Sequence, residues 1–183
     1  MKIVFYKTFI SSFDDLLPSE KIVYSFLISK SIFSIEDVFD KEGECLDEEV
    51  LSHIEYGNFV ELYKITNSAL SQILNMSRRN VIRIHNSLID KRYIANDNIF
   101  ISKEILEKGF FELYPNNNLS SELLIFYSFL KDKSKYFGGT IDTFKMKLAE
   151  EFNTTIISIK KMLNKLYKFN LIRRTENNKL LVL

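Results

Sequence analysis

Three arginines and an asparagine on one short stretch carry the strongest chemical signal in the sequence: Arg78, Arg79, Arg83 and Asn86. Val81, Ile84 and Leu88 recur at helical spacing between them, so the polar four fall on the opposite, outward side of one helix. A guanidinium can donate in parallel to O6 and N7 of guanine, and a carboxamide can pair with adenine. The same arginines also reach phosphates. The bland alternative is a solvated face that contacts nothing; three arginines so close together, in a chain otherwise rich in lysine, favour use.

A second basic group follows later: Lys160, Lys161, Asn164, Lys165 and Lys168, then Arg173 and Arg174, with no acid between residues 155 and 174. Lysines are point charges and suit phosphate more than base edges. Ile156 and Ile157 stand where Arg78 and Arg79 stand in the first group. They suit thymine methyls, or burial against another part of the chain or a second copy.

Elements that could position these groups are written around them. Leu70, Ile73 and Leu74 form one buried stripe, and Val81, Ile84 and Leu88 another. Asn75 between them suits a left-handed helix end, and Ser77 suits an N-cap. This spacing predicts a helix-turn-helix whose second helix can enter a DNA major groove. Shifting by 78 residues lays Leu148, Ala149, Phe152, Asn153, Thr155, Ile159, Met162, Leu166 and Ile172 onto Leu70, Ser71, Leu74, Asn75, Ser77, Val81, Ile84, Leu88 and Ile94. The small residue, the turn asparagine and the hydroxyl cap all recur, so the chain reads as two copies of one unit.

Around this core, residues 2–9 predict a strand, and Leu17-Pro18-Ser19-Glu20 a helix start buried along Ile22, Val23, Phe26 and Leu27. Leu119-Ser120-Ser121-Glu122 repeats that start, and residues 110–114 echo the opening strand. Residues 59–65 predict a strand leading into the first helix-turn-helix. Tyr93-Ile94 and Ile99 to Ile101, around the turn Asn96-Asp97-Asn98, predict a hairpin, as do residues 171–174 and 179–183 around 176–178. Arg92 and Asn170 sit where a turn glycine is common, and Arg92 also suits a backbone phosphate. His85 leans inward as a packed histidine. Domain 1 is expected over 1–102, a linker packed between domains over 103–118, and domain 2 over 119–183. Residues 33–57 form an acidic insertion, with a turn at Lys41-Glu42-Gly43 and a short helix over 47–54. The fold class expected is mainly α with small β-hairpin wings (α+β).

Net charge is only +1, with 25 Lys and Arg against 24 Asp and Glu. Residues 34–62 hold ten acids and one base, so the rest carries about ten positive charges, and local basic faces govern steering. Hydrophobic residues at 46% suffice for real cores. Cys45 alone provides no disulfide framework. No run suits a signal peptide or a membrane span, so a soluble, cytoplasmic protein is expected. Catalysis is not expected. His53-x-Glu55 lacks the paired cysteines of a zinc site, Gly138-Gly139 lacks the Lys-Ser/Thr of a phosphate loop, and residues 36–49 lack the calcium-loop register. No metal or cofactor is expected.

Residues 5–101 carry FYK, LPSEKIVYSFL, the FDKEGE turn and LSQILNMSRRNVIRIHNSLIDKRYI. With them the stretch resembles the N-terminal winged-helix domain of plasmid replication initiators, and the two copies resemble the tandem winged-helix DNA-binding domains of plasmid and phage initiators. Transcription regulators share such helix-turn-helix patterns. The resemblance implies sequence-specific binding to double-stranded DNA, at repeated origin or operator sites. On that reading Arg78, Arg79, Arg83 and Asn86 lie in a major groove, and Asn96 and Asn98 in the wing lie over the neighbouring backbone or minor groove. Lys160, Lys161, Asn164, Lys165, Arg173 and Arg174 add contacts from the second unit, and linked units or a homodimer read half-sites about one helical turn apart. The competing expectation is a protein–protein interaction module, with winged helices as docking surfaces and a protein partner at the acidic insertion.

Overall fold

The computed structural model describes residues 3–32, 59–116, 118–142, 145–177 and 179–183. The acidic insertion with its expected turn and short helix, together with Cys45 and His53, lies outside the described residues, as does Asn178 of the second hairpin turn. The chain is mixed α and β. It divides into two compact units: Met1–Phe9 with Phe13–Phe110, and Ile10–Ser12 with Phe111–Leu183.

Unit 1 holds β1 (Ile3–Tyr6), the first half of a single helical turn, α1 (Thr8–Ser11), and α2 (Pro18–Ile32). The strand expected over 2–9 therefore stops early, where Thr8 Oγ1 turns to donate to Glu104 O at 2.6 Å. Helix α2 is central: Ile22, Val23, Tyr24, Phe26, Leu27 and Ile28 are all buried. A helix apolar on nearly every side must be covered on nearly every side. Then come β2 (Phe59–Glu61), α3 (Asn67–Leu74), α4 (Arg78–Asp90), β3 (Ile94–Ala95), β4 (Asn98–Phe100) and α5 (Lys103–Glu107). The three strands form an antiparallel sheet in the order β2-β4-β3, with Val60 opposite Ile99 and Ile94 opposite Ile99.

Unit 2 repeats this order. After β5 (Phe110–Leu113) come α6 (Ser121–Lys135), β6 (Thr140–Ile141), α7 (Lys145–Glu151), α8 (Ile156–Lys168), β7 (Ile172–Arg174) and β8 (Leu180–Val182). The sheet order is β6-β8-β7, again with the last strand in the middle. Residues expected as a linker over 103–118 thus hold a short helix and a strand.

Two side chains on the long helix tie each unit together in the same way. Tyr6 N–H donates to Ser25 Oγ at 2.9 Å, and Tyr114 N–H to Ser128 Oγ at 3.0 Å. Tyr24 Oη donates to Phe100 O, next to the end of the sheet, and Tyr127 Oη to Leu183 O. Each pair comes from a Tyr-Ser-Phe-Leu run, Tyr24 to Leu27 and Tyr127 to Leu130. The repeated Leu-x-Ser-Glu letters, by contrast, are one residue out of step with the helices. Helix α2 begins at Pro18 and α6 at Ser121, so Glu20 matches Leu123 rather than Glu122. Their caps differ accordingly: Glu20 Oε2 reaches back to Leu17 N–H at 2.8 Å, whereas Ser120 Oγ accepts from Leu123 N–H at 3.4 Å.

Two further expectations are corrected. The strand over 59–65 ends at Glu61, because β4 offers only three residues to pair and Leu62 N–H already bonds Asp97 O at the turn. The hairpin turn is Asn96-Asp97 alone, both left-handed at φ 48° and 61°, as a two-residue primed turn requires. Asn98 belongs to β4.

Candidate nucleic-acid interface

The arginine face is set by local chemistry. Thr66 caps α3 by accepting Ala69 N–H at 3.2 Å. That helix ends at Asn75, whose φ of 50° puts it in the left-handed region that asparagine tolerates. Met76 N–H then closes onto Ser71 O, and Ser77 Oγ accepts Asn80 N–H at 3.2 Å to begin α4. The loop between the helices is thus closed by backbone and cap hydrogen bonds on both sides. Val81, Ile84 and Leu88 are each 0% exposed. With that stripe fixed inward, Arg78, Arg79, Arg83 and Asn86 are exposed together, as the spacing predicts.

Two side chains absent from the sequence reading belong to this face. Ile82 and Ile89 are exposed among the polar groups, 38% and 44%. Asn80 takes both Arg83 Nη2 and Arg83 Nε on its Oδ1, at 3.1 and 3.3 Å. Among the described residues, no ion pair engages Arg78 or Arg79.

The far end of α4 is clasped to the start of α2. Lys91 Nζ meets the buried Glu20 at 2.7 Å and also donates to Asp15 O. Tyr93 Oη donates to Asp15 Oδ1 at 2.9 Å, with its ring 4.9 Å from that of Tyr24. Burial pushes the Glu20 carboxyl upward in pKa, but hydrogen bonds from Lys91, Leu17 N–H and Ser87 outweigh it and hold the group below its ordinary value. Burial, helped by Asp15, pushes Tyr93 up to about 12. The clasp fixes the direction in which the arginine face points. The sequence shows Glu20 only as an acid at a helix start, and its pairing with Lys91 leaves no mark there.

Arg92 follows the clasp with φ 63°, letting Tyr93 N–H reach Leu88 O. This is the left-handed helix end usually given to glycine. Asn96 is exposed at the hairpin turn, while Asn98 Nδ2 bonds back to Asn96 O at 3.0 Å, so its carboxamide serves the turn itself. His85 is half-buried, and burial lowers its pKa. It lines a groove of about 530 Å³ with Leu27, Ile65, Leu70, Ile89 and Ile94.

Unit 2 has the same backbone devices under different side chains. Asn153 is left-handed at φ 43°, Thr155 caps α8 by accepting Ser158 N–H at 3.1 Å, and Asn170 ends the helix at φ 56°. Ile159, Met162, Leu163 and Leu166 are buried. Lys160, Lys161, Asn164, Lys165 and Lys168 are exposed on α8, and Arg173 and Arg174 on β7. Ile156 and Ile157 are exposed as well, 41% and 66%.

No family model, curated protein or solved structure matches the chain. The functional reading therefore stands on the geometry of these two faces. No described helix is long and apolar enough to cross a membrane.

Proposed function

We propose that the chain binds double-stranded DNA in a sequence-specific way through two tandem winged helices, as a replication-initiator-like protein or a transcriptional regulator. The observation that carries the reading is the exposed face of α4. Three guanidinium groups and a carboxamide lie opposite a fully buried stripe, on a helix that follows a tight, capped turn from α3. The element order in both units, long helix, strand, two helices and a hairpin, supports the winged-helix reading. Helix α4 enters the major groove, the Asn96-Asp97 turn lies over the adjacent backbone, and the lysines of α8 hold phosphates.

The second reading, a protein-docking module, draws on Ile156 and Ile157 and on the isoleucines among the arginines. Salt separates the two. Binding to a random-sequence duplex is expected to weaken steeply with added salt, log K falling by about 0.9 per phosphate per decade of salt. A flat salt response, or no binding, removes the DNA reading.

A further inference from the structure

Arg83 differs from its neighbours in being held. Its Nε and Nη2 both meet Asn80 Oδ1, which occupies the side edge of the guanidinium. Among the described residues nothing bonds the end-on edge, Nη1 with the outer hydrogen of Nη2, which presents two parallel donors. That is the pair guanine O6 and N7 accept. Asn80 is itself placed by the helix cap, since its own N–H is bound by Ser77 Oγ at 3.2 Å. Ser77, Asn80 and Arg83 thus form a chain from the turn to an oriented guanidinium. Holding a long side chain before contact also removes part of the ordering cost of binding.

Unit 2 lacks this chain. Ser158 stands in the place of Asn80, its hydroxyl within 3.1 Å of Thr155 Oγ1, and Lys161 in the place of Arg83. A lysine there offers charge without a planar pair of donors. Arg78 and Arg79 lie at the first turn of α4, and none of their side chains is held by an ion pair among the described residues.

Resting on the DNA reading above, we infer that Arg83, positioned by Asn80, is the residue that reads a guanine, while Arg78, Arg79 and the α8 lysines supply phosphate contacts. Specificity then resides in unit 1 at one G·C pair, and unit 2 adds affinity without preference.

The test uses the full chain, a duplex recovered by selection from a random library, and a random-sequence duplex of equal length. Arg83→Lys keeps the charge, so the salt slope should change little and affinity for the random duplex should fall less than affinity for the selected one. Preference for the selected duplex should fall roughly tenfold or more. Replacing one selected guanine by 7-deazaguanine, which lacks N7, should weaken wild type more than it weakens Arg83→Lys. Asn80→Ala should lower the preference in the same direction by less, with helicity and melting retained. Equal losses on both duplexes would make Arg83 a phosphate contact, and an unchanged preference would give it no reading role; either overturns the inference while leaving DNA binding intact. A wild type that binds neither duplex removes the underlying reading as well.

Discussion

Glu20 and Leu123 occupy the same place on the long helix of the two units, yet different forces act on them. Glu20 is buried and ionised, with Lys91 at 2.7 Å, and Asp15 and Tyr93 complete a polar clasp. In unit 2 Leu123 is buried without charge, Phe169 stands in place of Lys91 and Leu171 in place of Tyr93. What the units keep in common is the backbone: left-handed Asn75 and Asn153, hydroxyl caps at Ser77 and Thr155, and tyrosine bonds to Phe100 O and Leu183 O. The frame therefore depends on turn and cap chemistry, and the buried place near the start of the long helix can hold a paired charge or an apolar side chain. The outward faces diverge on the same frame, arginines and isoleucines on α4, lysines on α8.

The largest expected effect comes from breaking the clasp. Lys91→Met leaves a buried carboxylate without its cation and should destabilise unit 1 by about 3 kcal/mol or more. Glu20→Leu combined with Lys91→Met removes both charges and puts at position 20 the leucine that unit 2 buries there, which should restore most of that loss. Amide hydrogen exchange along α4 measures both. A double variant as weak as the single one would show that the two solutions are not interchangeable.

A smaller effect comes from acid. The folded Glu20 pKa is depressed, so its contribution is fully present above the unfolded carboxylate value, about 4.3, and is lost as pH falls through the lower folded value. Burial also lowers His85, so unit 1 begins to lose stability below the ordinary histidine value, about 6.5. Unit 1 should thus loosen before unit 2 on acidification. Glu20→Gln should remove the lower-pH part and leave the part near 6.5, as followed by melting against pH.

Smallest is the turn after each second helix. Arg92 sits at φ 63° and Asn170 at φ 56°, but asparagine tolerates that region better. Arg92→Gly should stabilise unit 1 by up to about 0.5–1 kcal/mol, while Asn170→Gly should change unit 2 by a few tenths at most. Equal shifts in urea midpoint would mean that the arginine carries no extra strain.

Local chemistry was readable in advance and distant pairing was not. Asn75, Ser77, Asn153 and Thr155 announce turns and caps because each acts on backbone within three or four residues of itself. The stripes at Val81, Ile84 and Leu88, and at Ile159, Met162 and Leu166, announce which face is free. The Lys91–Glu20 pair spans 71 residues and leaves no periodicity to find. Strand ends are hidden for a related reason: Leu62, Tyr63 and Ile65 look like strand residues, but the partner strand runs out at three. The Leu-x-Ser-Glu repeat misled by letter, since the helices place Leu123 opposite Glu20. Asn80 leaves no such mark because its side chain acts on another side chain rather than on backbone or core.

In the proposed function the exposed arginines of α4 are the principal DNA contact. Duplex binding by the variant Arg78→Ala, Arg79→Ala and Arg83→Ala together tests this directly, with melting and helicity confirming that unit 1 is folded. The predicted result is an affinity more than about a hundredfold weaker than wild type. A folded triple variant that binds duplex DNA as wild type does would contradict it.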